Sequence, residues 1–212
     1  MIMGIKMRYE DWEPHYFEII DYFGFDPSAD EEAARLLAEI LPRDDIDLLR
    51  SIISGNVVTI CGNAPVLSSE LDLIEGKILA ADAGALILYE QGMIPDAIFT
   101  DLDGAEEPFI QMNQEGTVIV VHAHGDNIPL LKRWVPRFSG PVVGTTQGPP
   151  DTHIHNFGGF TDGDRAVFAA HALGAERVAI IGFDLSDPSV DPMKRGKLLQ
   201  ARKLLDLLGY DL

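Results

Sequence analysis

The chain has almost no cysteine, little positive charge and no long apolar run. Cys61 is the only cysteine in 212 residues, which excludes an intrachain disulfide and a cysteine-rich zinc cluster. It closes the apolar run Val57-Val58-Thr59-Ile60-Cys61, where a thiol reads as a small buried hydrophobe. The 16 Lys and Arg face 34 Asp and Glu, for a net charge of -18. That excess argues against a nucleic-acid backbone or an anionic membrane as the main partner. It leaves room for a small anion held locally by a cation or a few basic side chains. No segment approaches the roughly 20 apolar residues of a membrane span. The first residues lack the basic segment, apolar core and cleavage site of a secretory leader, so the expectation is a cytoplasmic protein. Signature loops are missing too. Arg195-Gly196-Lys197-Leu198 has neither the spacing nor the hydroxyl of a P-loop, and no G-x-G-x-x-G is present. A P-loop kinase and an NAD-binding dehydrogenase are therefore unsupported. No G-x-S-x-G nucleophile elbow occurs either.

What is present fits a soluble globular chain, with 46% apolar and 24% charged residues and enough length for a substantial core. Residues 1–54 read as a helical subdomain. Trp12, Tyr16, Phe17, Ile19, Ile20 and Phe23 make an apolar stripe, more often core than ligand box. Ser28 and Glu31 have capping-box spacing ahead of Ala33, Leu36, Leu37, Ile40 and Leu41. Asp44-Asp45 opens a further helix through Ile46, Leu48, Leu49, Ile52 and Ile53. From residue 55 onward the pattern changes. Short uninterrupted apolar runs at 57–61, 78–81, 97–99, 118–121, 142–143 and 178–181 alternate with helical stretches. That is the pattern of an open, mostly parallel Rossmann-like α/β sheet covered by helices on both faces.

These runs end in Gly62, Asp82, Thr100-Asp101, His122, Gly144-Thr145 and Gly182-Phe183-Asp184. In open α/β sheets, ligands bind outside the carboxyl ends of the strands, so Gly62, Asp82, Asp101, His122, Thr145 and Asp184 are expected along one rim. In Thr100-Asp101-Leu102-Asp103-Gly104, an extended backbone would aim Asp101 and Asp103 at one point. Two anions there need a cation or a shared proton between them, and Mg²⁺ suits a few carboxylates plus phosphates. A solvated Asp-rich turn is the alternative. Gly62-Asn63-Ala64-Pro65 offers free amides to a phosphate, or is an ordinary turn. Asp82-Ala83-Gly84-Ala85 supplies a carboxylate that either caps a helix or binds a metal or ligand.

His122-Ala123-His124-Gly125-Asp126-Asn127 has metal-ligand composition but no third His or Cys at zinc-site spacing. Asp126 can join Mg²⁺ or cap the next helix. In Gly158-Gly159-Phe160-Thr161-Asp162-Gly163-Asp164-Arg165, capping accounts for Thr161 and one Asp. It leaves a second Asp, Arg165 and two glycines to explain, at a helix start that favours an anion. Lys194 and Lys197 fall in the first turn of the last helix, where the dipole disfavours cations; a nearby polyphosphate would be their partner.

Asp82-Ala83-Gly84-Ala85, Thr100-Asp101-Leu102-Asp103-Gly104 and Thr161-Asp162 together resemble the thiamin pyrophosphokinase catalytic domain. Thr100, Gly104 and the section from His122 to Gln147 depart from that pattern. With Gly62-Asn63-Ala64-Pro65 and Gly144-Thr145-Thr146-Gln147 added, the order resembles the archaeal-type 6-hydroxymethyl-7,8-dihydropterin pyrophosphokinase family, over residues 56–212. The resemblance implies Mg²⁺-dependent transfer of diphosphate from ATP to a reduced pterin with release of AMP, in folate or methanopterin biosynthesis. Asp82, Asp101, Asp103, Asp126 and Asp162 are then candidate metal ligands. Asp101, Asp103, Asp162 and Arg165 are candidate catalytic groups. Gly62, Asn63, Asp82, Gly84, His122, His124, Thr145, Thr146, Gln147, Lys194 and Lys197 are candidates for substrate binding. Thiamin pyrophosphokinase and a nucleotide-sugar-dependent glycosyltransferase of the same superfamily are the alternatives. Sequence leaves open whether the N-terminal helices cover the substrate crevice or build a contact in a homo-oligomer.

Overall fold

A computed structural model describes residues 7–211. The apolar runs become β1 (Val57–Cys61), β2 (Lys77–Ala81), β3 (Ala97–Thr100), β4 (Val118–Ala123), β5 (Val142–Thr146) and β7 (Arg177–Ile181), with a two-residue β6 (Ile154–His155) before the last. They form one all-parallel sheet in the order β6-β5-β4-β3-β2-β1-β7. Side chains alternate across it. Leu79, Phe99, Val118 and Val120 face one core cluster, while Ala80, Ile98, Ile119 and Val121 face the other. Both faces are dry because helices cover both, which is why the runs read as continuously apolar.

The first face is covered by α1 (Tyr9–Phe23), α3 (Ile46–Ile53), α8 (Asp162–Ala172) and α9 (Pro192–Leu207). The second is covered by α2 (Pro27–Ile40), the one-turn α4 (Leu67–Glu70), α5 (Gly84–Glu90), α6 (Glu107–Gln114) and α7 (Ile128–Trp134). The N-terminal helices thus straddle the sheet. Trp12 and Leu49 are fully buried in one cluster and Leu37 in the other.

Chain order sets where a ligand can sit. From β1 to β6 the strands step in one direction. The chain then returns through α8, which lies across β1, β2 and β3, and adds β7 beside β1. The direction reverses between β1 and β7, and the N-terminus of α8 reaches the carboxyl edge of the sheet next to β2 and β3. At the reversal the Gly62 N–H donates to Ile181 O at 2.9 Å, and a Cβ on Gly62 would collide with Gly182 O.

Three features depart from the sequence expectation. Neither β6 nor α4 was expected, since each is too short to carry a period. Asp26, not Ser28, caps α2: its Oδ1 accepts from the Ser28 N–H at 2.9 Å and the Ser28 hydroxyl at 2.7 Å. Pro27 takes the first helical position, where its missing N–H is harmless.

Because α1 and α3 complete one cluster and α2 the other, a fragment beginning at residue 55 exposes both. Each large side chain lost from a core removes about 2–3 kcal/mol. The fragment is expected to show no cooperative transition in a circular-dichroism melt. A cooperative melt close to that of the full chain would make residues 1–54 an independent appendage.

Candidate active site

β2 ends at Ala81, and Asp82 follows with φ 43°, a left-handed conformation that Asp tolerates better than most residues. Its Oδ1 accepts the Thr100 hydroxyl at 2.6 Å. Gly104 closes over Oδ2, where any Cβ would collide. Asp101 follows β3. Its Oδ1 accepts the Asp103 N–H at 3.1 Å, and its Oδ2 lies 3.3 Å from His124 Nε2. His124 Nδ1 accepts the Asp126 N–H at 3.4 Å, which leaves the ring proton on Nε2, facing Asp101. Asn127 donates to Asp101 O at 2.8 Å and to His122 O at 2.7 Å, tying the ends of β3 and β4 together.

The third carboxylate arrives from the other face. Thr161 is the N-cap of α8, and Asp164 is consumed in capping: it accepts the Phe160 N–H at 2.9 Å and the Thr161 N–H and hydroxyl at 2.6 Å each. Asp162 is left over. One oxygen from each of Asp82, Asp101 and Asp162 lies within 4.8 Å of the other two. Asp162 Oδ1 is buried with no hydrogen-bond partner among the described residues, an expensive state for a carboxylate oxygen without a ligand.

Crowding is visible in the acidities. Burial, with the charges of Asp103 and Asp101 adding to it, pushes Asp82 up to about 6 against the Thr100 hydrogen bond. Burial and the charges of Asp101 and Asp82 raise Asp162 well above the usual carboxylate range, with Arg165 opposing. Asp103 is raised by burial and by Asp101. Asp101 goes the other way. Burial works to raise it, but hydrogen bonds from His124 and the Asp103 amide, with the Arg165 charge, hold it below the usual range. An all-oxygen triad of this kind fits a hard divalent cation such as Mg²⁺, and clustered raised acids mark functional sites.

The extended backbone expected from Asp101 to Asp103 is not what forms. Leu102 takes φ 74°, strained by about 1–2 kcal/mol for a bulky residue. Its side chain is 1% exposed in the core, a gain of about 2 kcal/mol that offsets the strain. The turn leaves Asp103 beside Asp101, whose charge raises its pKa, but outside the triad. Asp103 is exposed and, like the exposed Asp126, lies outside the triad while lining the same cavity.

Two cavities meet at the triad. The first, about 320 Å³, runs from Asp101 and Asp103 past Gln147 and Arg165 to the α1–α2 elbow at Gly24–Asp26. The second, about 240 Å³, lies between the Gly62–Pro65 loop and Gly182–Leu185. Their shared wall is Asn63, Asp82, Thr161, Asp162 and Lys194; Lys197 lines the first only.

Other expected rim residues stand behind the walls. His122 is buried with Nδ1 3.2 Å from Thr145 Oγ1, whose hydroxyl donates to Val121 O at 3.0 Å. Burial keeps His122 well below its ordinary value. Thr146 Oγ1 accepts the Gly148 N–H at 3.1 Å. Gly84 sits under Gly62, where a Cβ would strike the Gly62 carbonyl. These residues shape the rim without lining either cavity.

Sequence reasoning missed Asp30 and Phe25. Asp30 is 4% exposed yet lines the first cavity. It accepts Tyr16 Oη at 2.8 Å, Gln147 Nε2 at 2.7 Å and the Gly125 N–H at 2.9 Å. Gln147 Oε1 in turn accepts Arg165 at 3.1 Å. The available signal was a carboxylate in line with Ala33 and Leu37, the buried face of α2.

An all-parallel sheet that gathers oxygen ligands and basic side chains over its carboxyl edge defines an α/β protein suited to phosphate-bearing ligands. Comparison with known proteins is more specific. A family model described as 6-hydroxymethylpterin diphosphokinase MptE-like matches residues 31–189. A 6-hydroxymethyl-7,8-dihydropterin pyrophosphokinase of Methanothermobacter thermautotrophicus is 40% identical over 95% of this chain and 95% of its own. One of the same name from Methanocaldococcus jannaschii is 35% identical over 95% and 96%, and one from Pyrococcus furiosus 38% over 85% and 79%. The chain belongs to the MptE-like family of 6-hydroxymethylpterin diphosphokinases, which are diphosphotransferases.

A carboxyl group whose pKa the fold raises stabilises the fold in its protonated form. Asp82 therefore contributes fully below about pH 4, and its contribution is lost as pH rises through about 6. The shift is worth roughly 3 kcal/mol in the metal-free protein. Thermal melts without metal should show wild type losing stability relative to Asp82→Asn between about pH 4.5 and 7. Mg²⁺ should restore wild type at neutral pH and do little for the variant. Parallel pH profiles for the two proteins would refute the crowded-acid reading.

Proposed function

We propose that the protein transfers the β,γ-diphosphate of ATP to the hydroxymethyl oxygen of 6-hydroxymethyl-7,8-dihydropterin in the presence of Mg²⁺, releasing AMP. The names of its relatives support the acceptor. The observation that carries the chemistry is the triad of Asp82, Asp101 and Asp162 at the junction of two cavities. These three residues would hold Mg²⁺, which when bound neutralises and orients polyphosphate oxygens.

The acceptor oxygen forms a bond to the β-phosphorus. The bond from that phosphorus to the α,β-bridging oxygen breaks, and its electron pair leaves with AMP. Such a reaction asks mainly for positioning and charge neutralisation. Lys194, on the shared wall, and Lys197 offset the charge that grows on the bridging oxygen. The amide end of α8 adds a favourable field for an anion. Arg165 lines the first cavity among the charges of Asp162, Asp164, Asp101 and Asp30, and keeps that carboxylate-rich wall from repelling the phosphates. Asp103 lies outside the triad and lines the same cavity, with its pKa raised by burial and by the charge of Asp101. It is the carboxylate placed to take the hydroxyl proton.

Purified protein with ATP, Mg²⁺ and the dihydropterin should yield AMP and the pterin diphosphate. Asp101→Asn and Asp162→Asn should each lower kcat roughly 100-fold or more without loss of the cooperative thermal melt. Asp103→Asn should lower kcat and flatten its acidic pH limb. Release of ADP, or turnover with thiamin but not the pterin, would overturn the assignment.

A further inference from the structure

We infer that the two cavities divide the substrates: the pterin ring occupies the first, and the adenosine end of ATP the second. The inference rests on the proposed reaction and names the subsites for it. In-line displacement places the incoming oxygen and the departing AMP on opposite sides of the β-phosphorus. Asp82 and Asp162 of the triad stand with Lys194 on the wall common to both cavities. A diphosphate crossing that wall leaves one reactant in each.

Chemistry decides which goes where. Beyond the shared wall the first cavity presents the carboxylates of Asp26, Asp30, Asp103 and Asp126. The amino group and ring N–H of a pterin are donors that match carboxylates. Three phenyl rings form a stack there. Phe25 lies on Phe23 with centroids 5.1 Å apart and planes 10° apart, and Phe23 lies on Phe160 at 5.4 Å and 28°. The two end rings, Phe25 and Phe160, both line the cavity, which gives a flat heterocycle an aromatic surface.

The second cavity is more apolar. Pro65, Phe183, Leu185, Val190 and Leu198 line it. The Phe183 ring packs 2.7 Å from where a Cβ on either Gly62 or Gly163 would lie, so two glycines make the slot for it between the β1 loop and α8. An adenine fits the apolar cavity that this ring lines, and its triphosphate then extends toward Lys194 and the start of α8.

Binding separates the two halves without turnover. Wild type and variants are titrated with α,β-methylene-ATP plus Mg²⁺, whose scissile bridge cannot be cleaved, and separately with the dihydropterin. Val190→Trp, which fills the second cavity, should weaken the nucleotide analogue roughly tenfold or more and leave the pterin within about twofold. Phe25→Ala should weaken the pterin roughly tenfold and spare the nucleotide. Leu185→Trp and Phe25→Leu repeat the comparison if either first variant melts early. Exchanged effects, or all variants acting on one ligand, overturn the division. Wild type that binds neither ligand overturns the proposed reaction instead.

Discussion

Three carboxylates with oxygens within 4.8 Å of one another repel by roughly 3–4 kcal/mol per pair at an effective dielectric of 20. Much of the rim is arranged to hold them there. Thr100 restrains Asp82, His124 and the Asp103 amide restrain Asp101, and the capping of α8 by Asp164 fixes where Asp162 begins. Gly104 leaves space beside Asp82. Leu102 accepts a strained backbone so that its side chain can anchor the turn in the core. Stability spent on proximity of like charges is recovered when a cation arrives, which makes ligand binding and folding interdependent at this edge.

The N-terminal helices belong to the same arrangement. Trp12 donates to Gln147 O at 2.8 Å, and Tyr16 reaches Gln147 and Arg165 through Asp30. This buried chain runs from the first helix to the helix that carries Asp162. The same segment supplies Phe25 and Asp26 to the cavity wall. Residues 7–54 therefore shape the crevice as well as cover the sheet.

Legibility varied by element. The strands at 57–61, 97–100 and 177–181 were readable because a sheet dry on both faces needs unbroken apolar runs. The carboxyl-edge rim followed from their order. Phe183 was unreadable, because a single aromatic after a glycine has no period. Asp30 was overlooked because it sits in a capping-like stretch, and only its alignment with Ala33 and Leu37 betrays burial. The motif around Asp101 is legible but its local geometry is not: the spacing predicts an extended backbone where Leu102 turns left-handed.

By itself the sequence determined the fold class, the family motifs and the chemical type of the site, since periodicity and residue chemistry are local properties of the chain. Tertiary structure alone decided which aspartates converge. Asp82, Asp101 and Asp162 come from two strand ends and a helix start separated by up to 80 positions. Their meeting depends on the crossover that lays α8 over β1, β2 and β3. It also depends on a left-handed turn that keeps Asp103 out of the triad, and no spacing rule encodes either.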